Sequence, residues 1–147
     1  MQLLDHFKNK TVYCCIDADL DGMGATILVE YFVKPVVKGF IRYNTADRSL
    51  PDFDFELAKN SEIIIFIDIT PPTLGFYNKL KEFSEVFIFD HHVTGKDILG
   101  NLENYYFDTE KCASKIFFEE ITKNIRVKRP IAQFIELIDT YDLYVSS

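Results

Sequence analysis

The sequence predicts an α/β fold: a three-layer domain with a largely parallel central sheet flanked by helices. Three observations carry that prediction. Apolar runs of strand length, Val12–Ile16, Ile63–Ile67 and Val86-Phe87-Ile88-Phe89, alternate with longer stretches whose apolar residues recur at helical spacing. The runs are apolar throughout rather than alternating, the pattern of strands covered on both faces. Each run also ends in acidic or imidazole side chains: Asp17-Ala-Asp19-Leu-Asp21-Gly22 after the first, Asp68 after the second, Asp90-His91-His92 after the third. In an open parallel sheet, sites form at the carboxyl ends of the strands.

The elements follow in order. Residues 2–9 predict a short leading helix, and 11–17 the first strand. From Gly22 to about Lys34, Met23, Ile27, Leu28 and Tyr31 or Phe32 recur at helical spacing, and Pro35 stops the helix. A second strand spans 36–43, a polar loop with Asp47, Arg48 and Pro51 spans 44–54, and Phe55–Lys59 is a helical turn. The third strand covers 62–68. Pro71-Pro72 opens a helix running to about Phe83, since proline suits a first helical turn. The fourth strand, Glu85–Asp90, leads through a loop containing Gly95 and Gly100 to a weaker strand at Tyr105–Phe107. A helix over 109–123 takes Thr109 as its N-cap. The basic connector Lys123-Asn-Ile-Arg126-Val-Lys128-Arg129 and Pro130 precede a last helix over about 131–139.

At 147 residues the chain is the size of one ordinary domain, with 48% hydrophobic and 27% charged residues, the composition of a soluble globular protein. The net charge of −7 argues against a protein that coats nucleic acid, which would carry a basic excess. It favours a small anionic substrate reached through metal ions. Cys14, Cys15 and Cys112 are odd in number and include an adjacent pair, so they read as reduced core thiols in a cytoplasmic protein. Met1-Gln-Leu-Leu-Asp-His is no signal peptide, and no apolar run reaches the roughly 18 residues of a membrane span.

Asp17, Asp19 and Asp21 alternate along an extended turn, which sets carboxylates on one side of it, and Gly22 lets the backbone turn into the helix. Hard oxygen ligands suit manganese or magnesium. By itself this string is equally a solvated, helix-capping loop, and it resembles the first motif of haloacid-dehalogenase-type phosphatases. Asp68 is a bridging ligand, a turn cap, or the phosphoacceptor of a receiver domain. Asp90-His91-His92 is the decisive string. The chain has three histidines, and two stand side by side after an apolar run. One imidazole can bind metal while the other faces substrate, with Asp90 orienting a ring from behind. His6 reads as a surface residue. Five carboxylates and two imidazoles converging at one sheet edge would be intolerable without a cation, so the simplest reading is a two-metal centre. Near the end of the chain, Ile138-Asp139-Thr-Tyr-Asp142 offers two more carboxylates, Asp139 and, in competition with it, Asp142.

These four elements in this order resemble the DHH phosphoesterase superfamily, which includes RecJ exonucleases, nanoRNases, cyclic-dinucleotide phosphodiesterases and family II pyrophosphatases. The likeness spans about residues 11–144, and the Ile-Asp-x-Tyr-Asp string is most similar to the nanoRNase branch. The resemblance implies two manganese ions. Asp17, Asp19 and Asp68 would hold one; Asp21, His91 and Asp139 the other, with Asp68 bridging. His92 would meet the scissile phosphate or protonate the leaving group. Cys15 stands where some branches carry a histidine, so Asp17 takes its place. The family usually carries a smaller C-terminal lobe that grips substrate. The expectation is therefore a catalytic lobe over 1–147 without it: a protein that was cut, a minimal form, or a lobe whose cover a second copy or another chain supplies.

The implied activity is hydrolysis of short oligonucleotides or a signalling dinucleotide. The alternatives are a phosphomonoesterase or pyrophosphatase on the same centre, and a non-catalytic lobe that binds nucleotide or a partner. Lys96, Arg42, Arg48 and the 126–129 connector are candidate phosphate contacts, and Tyr43 and Tyr144 candidate base platforms.

Overall fold

A computed structural model describes residues 2–17, 19–33, 37–40 and 49–146. Five parallel strands, β1 (Val12–Ile16), β2 (Val37–Phe40), β3 (Ile63–Ile67), β4 (Glu85–Asp90) and β5 (Tyr105–Phe107), form one sheet in the order β2-β1-β3-β4-β5. The predicted α/β class and parallel sheet are what the chain adopts. The order reverses direction between β1 and β3, and a crevice opens at such a switch point. Register matters most for function. Ile16 pairs with Ile67, and Ile67 with Phe89. The next residues, Asp17, Asp68 and Asp90, therefore leave the sheet at one level.

Side chains alternate across each strand, so the apolar runs feed two cores. Cys14, Ile16, Ile65, Ile67, Phe87 and Phe89 face one layer: α1 (Leu3–Phe7), α2 (Leu20–Leu28), α6 (Ala113–Ile121) and α7 (Arg129–Ser146). Tyr13, Cys15, Ile64, Phe66, Val86 and Ile88 face the other: α3 (Phe55–Lys59), α4 (Leu74–Lys81) and α5 (Val93–Leu99). Fully buried Phe66, Phe87, Phe89 and Phe117 anchor these layers, each contributing roughly 1.5–3 kcal/mol by leaving water. The three cysteines are buried thiols. No helix among the described residues is long and apolar enough to cross a membrane.

Several elements depart from their predicted bounds. The helix after β1 begins at Leu20, capped by Asp19, whose carboxylate accepts the Gly22 amide at 2.7 Å; beyond Leu28 it widens into a π-helical turn, Val29–Val33. A Cβ on Gly22 would overlap the Asp17 carbonyl oxygen, so only glycine lets the metal-type loop close on itself. The prolines precede α4 rather than enter its first turn, because Thr73 takes the capping position and accepts the Phe76 amide. Where a loop was expected after Asp90, residues Val93–Leu99 form α5. Gly95 and β-branched residues hide that helix locally, but Leu99 is buried and Gly95 packs against Thr70. The 109–123 helix starts only at Ala113, with Thr109 left exposed, because carboxylates from α2 and α7 cap it from a distance. The last helix runs on to Ser146, which puts Asp139 and Asp142 on one rigid rod. His6 is half-buried, its Nε2 2.8 Å from Glu85 Oε1, rather than a plain surface residue. Arg42, Tyr43, Asp47 and Arg48 lie outside the described residues, as does Pro35.

Helices α2 and α7 meet at Gly24, where an added Cβ would stand 2.5 Å from Ile138 Cδ1 and 3.1 Å from Ser114 Oγ. Gly24→Val is expected to lose about 1–3 kcal/mol by overpacking, read as a lowered Tm and an earlier urea midpoint.

Candidate metal centre

Each strand end delivers its ligand by a different local device. Asp68 adopts φ of +70°, the left-handed conformation that aspartate tolerates better than most residues, while its amide donates to the Phe89 carbonyl at 3.0 Å. That twist turns the carboxylate off the end of β3 into the switch-point crevice. It is 2% exposed, and its Oδ2 is buried without a hydrogen-bond partner. His91 leaves the end of β4 and brings Nε2 to 3.2 Å from Asp68 Oδ1, 3.8 Å from Asp21 Oδ2 and 3.8 Å from Asp142 Oδ2. One imidazole nitrogen thus faces three carboxylates.

Donor atoms fall into three overlapping groups, each within 4.8 Å: Asp17, Asp19 and Asp68; Asp21, His91 and Asp142; and Asp68, Asp90, His91 and His92. Asp68 and His91 each belong to two of them. The mix of hard oxygens with imidazole suits manganese or magnesium. The unpartnered Asp68 oxygen supplies the fit test, since a buried acceptor of this kind lacks a donor or a cation.

The predicted site residues Asp17, Asp19, Asp21, Asp68, Asp90, His91 and His92 are all brought together. Asp139 is not. Its Oδ1 accepts the Cys112 amide at 2.7 Å and its Oδ2 lies 3.5 Å from Lys115 Nζ, so it caps α6. Asp142, the competing residue of the same string, stands one helical turn further on and faces His91. Asp21 does two things. Buried at 0% exposure, its carboxylate accepts the Ala113 and Ser114 amides at 2.9 and 2.8 Å and the Ser114 hydroxyl, while one edge remains toward His91. The N-terminus of α6 carries unpaired amides and positive dipole, which fix this carboxylate in place. Ser114 and Cys112 were not singled out from the sequence; an acidic residue capping a helix more than 90 positions away leaves no local signal.

His92 is half-exposed, and Asp90 behind it is buried. Asp90 Oδ1 lies 2.7 Å from His92 Nδ1, which leaves Nε2 as the working nitrogen. The hydrogen bond to Asp90 raises the His92 pKa, against the opposing effect of burial, so the ring stays cationic to higher pH. A small pocket opens between Asp17, Asp68, Asp90 and His92, with Thr70 and Thr94 on its far wall. Lys96 holds Nζ 4.7 Å over the Tyr105 ring and 5.5 Å over Phe107. Tyr144 is 80% exposed on α7.

The carboxylate–imidazole cluster at the strand ends of this parallel α/β sheet is a donor set suited to divalent cations. Residues 11–139 match the sequence model of the DHH family, N-terminal domain, and the chain belongs to that family. It is 22% identical to a 3′,5′-cyclic-nucleotide phosphodiesterase of Helicobacter pylori, over 90% of this chain and 43% of that protein. The fold is shared with an uncharacterized protein of Helicobacter pylori G27 (TM-score 0.73, 21% identity, 91% of this chain and 44% of that one). It is also shared with exonuclease RecJ bound to manganese (TM-score 0.58, 17% identity, 87% and 37%). The chain spans less than half the length of each of these proteins.

Burial, and then the charges of Asp21 and Asp19, push the Asp68 pKa up to about 12. A carboxyl raised above its unfolded value stabilises the metal-free fold while it stays protonated. That contribution is whole below about pH 4 and is lost as pH rises toward 12. Asp68→Asn keeps the shape and the tolerance for positive φ but removes the ionisable group. Metal-free Asp68→Asn is therefore expected to melt above metal-free wild type at neutral pH, by a margin that widens with pH, and to lose the rise in Tm that manganese gives wild type. Calorimetry from pH 5 to 9, with and without manganese, checks both.

Asp139 and Asp142 separate by the same kind of measurement. Asp139→Ala should cost about 1 kcal/mol of stability through the lost cap and keep most of the manganese affinity. Asp142→Ala should do the reverse, read by titration calorimetry beside urea unfolding.

Proposed function

We propose that this chain is the metal-binding lobe of a manganese-dependent phosphodiesterase that hydrolyses short oligonucleotides or a signalling dinucleotide. The observation that carries this reading is the meeting of Asp21, Asp68 and Asp142 at His91 Nε2, beside a separate His92–Asp90 pair aimed into the same crevice. Ligand groups and a proton donor stand side by side. The family's N-terminal domain, the phosphodiesterase relative and the manganese-bound RecJ neighbour support it.

Asp17, Asp19 and Asp68 would hold one ion; Asp68, Asp21, His91 and Asp142 would hold the second. When bound, the two ions would supply a hydroxide nucleophile at neutral pH and offset charge on the phosphoryl oxygens. The protein's own groups do the rest. Asp68 twists into the crevice and ties the two ligand sets together. The α6 amides fix Asp21 in place. His92, cationic through Asp90, gives the Nε2 proton to the leaving oxygen, and Asp90 holds the ring by Nδ1.

A second reading, hydrolysis of a 3′,5′-cyclic nucleotide, is favoured by the relative of that name, which this chain matches over 90% of its length. Both are phosphodiesters and ask the same of the centre. The test sets a 5′-labelled RNA dinucleotide, a 3′,5′-cyclic nucleotide and pyrophosphate side by side with manganese and with magnesium. Cleavage of the dinucleotide supports the first reading, and cleavage of the cyclic substrate alone supports the second. Pyrophosphate alone as substrate would make the centre a pyrophosphatase. Stoichiometric manganese binding with no turnover would make it a binding lobe. In the active case His92→Ala is expected to retain manganese and to slow turnover by about 10²–10⁴-fold, with the loss largest where the leaving group most needs a proton.

A further inference from the structure

Asp21 is held in a different way from Asp68. Asp68 Oδ2 is buried with no hydrogen-bond partner, whereas Asp21 is gripped by the first residues of α6. Its Oδ2 accepts the Ala113 amide at 2.9 Å, and its Oδ1 accepts the Ser114 amide at 2.8 Å. The Ser114 hydroxyl lies within bonding distance of both Oδ1 and the Asp21 carbonyl oxygen. A carboxylate is the stronger acceptor, so the single hydroxyl proton belongs on Oδ1. The Cys112 thiol also meets this carboxylate, as a weak donor. Asp21 and Ser114 are both fully buried, which shields these bonds from solvent. Their close approach depends on Gly24, three residues further along α2. A Cβ there would stand 3.1 Å from Ser114 Oγ, a tight contact. The bare position on α2 is what lets the α6 hydroxyl lie against its neighbour.

A carboxylate offers about four acceptor sites on its two oxygens. The Ser114 amide and hydroxyl fill those of Oδ1, and the Ala113 amide takes one on Oδ2. What remains is a single site on Oδ2, the atom that stands 3.8 Å from His91 Nε2. That separation is too long for a hydrogen bond and suits two donors around one ion. Cations differ in what they ask of such a carboxylate. Calcium takes about six to eight oxygens, often both oxygens of one carboxylate, whereas manganese and magnesium take octahedral sets. The His91 imidazole already disfavours calcium, which binds through oxygen. A two-oxygen grip from Asp21 would offset that disadvantage, and the α6 donors withhold it.

We infer that Ser114 is a positioning residue that limits Asp21 to one coordinating oxygen, Oδ2, and so biases the ion held by Asp21, His91 and Asp142 toward manganese and against calcium. The role rests on the metal-centre reading of those three side chains and not on which phosphodiester the centre cuts. Ser114 touches neither ion nor substrate; it acts through the carboxylate alone. The group of Asp17, Asp19 and Asp68 offers oxygen throughout, so the bias belongs to the His91 group.

The test is made on the whole chain without substrate. Bound manganese is counted from the paramagnetic resonance signal of the free ion, with calcium chloride as competitor. His91→Ala marks the ion of this group by failing to bind it. For that ion, Ser114→Ala is expected to lower manganese affinity by about 10–100-fold, as the loss of an outer hydrogen bond to a ligand does. Calcium affinity is expected to hold or rise, so the preference between the ions shifts toward calcium by about tenfold or more. Asp139→Ala controls for a loosened α6, since it removes the cap at Cys112 and leaves the bonds to Asp21 in place. It should leave the preference between the two ions as in wild type. Circular dichroism and the urea midpoint establish that each variant is folded. Ser114→Cys, of similar shape but a weak donor, is read in place of Ser114→Ala should the latter fail to fold. An equal loss of both ions at Ser114, an unchanged preference, or the same shift in Asp139→Ala overturns the role and leaves the metal centre standing. A wild type that binds no manganese overturns the centre and the role together.

Discussion

The crowding of negative charge around Asp68 governs this protein. Register brings Asp17, Asp68 and Asp90 to one level at the edge of the sheet, and the helices then add Asp21 and Asp142. Coulomb repulsion and desolvation both oppose that gathering, and the raised pKa values of Asp68 and Asp142 register the cost. For Asp142 burial is the larger cause and the charge of Asp21 the next. Two parallel hydrophobic layers hold the strands in place regardless. The arrangement is an electrostatic debt written into the fold, which a divalent cation is chemically suited to relieve.

Helix α6 is the element that keeps this crowd ordered. Its first amides are claimed by two carboxylates, Asp21 from α2 and Asp139 from α7, and Ser114 adds its hydroxyl to the first of them. Three helices are thereby joined at one buried point that includes Asp21, itself one of the donor residues. Asp139 serves the site through that joint, by fixing the rod on which Asp142 stands, and not by facing His91 itself.

Much of this was legible in the sequence, and the limits are physical. Strands β1, β3 and β4 are uniformly apolar, and each ends in acidic or imidazole residues whose joint occurrence points to a site, so their positions and their role could be read together. Helix α5 could not, because Gly95 and the β-branched Val93 and Thr94 argue locally for a loop, and only packing against Thr70 and the burial of Leu99 make it a helix. The start of α6 was hidden because its caps come from distant segments rather than from Thr109. The choice between Asp139 and Asp142 depended on where α7 ends and how it rolls, which three residues of spacing do not determine. The left-handed twist of Asp68 was hidden because aspartate tolerates that conformation without being confined to it.

The ligand set runs from Asp17, in the first strand loop, to Asp142, near the end of the last helix, and draws on nearly every layer between. The segment from β1 through β4 already carries Asp17, Asp19 and Asp68, whereas the group at His91 needs Asp142 from α7 as well. The two groups therefore mature at different stages of folding: the first when the strands pair, the second only when α7 docks against α2 and α6 and swings Asp142 up to the imidazole.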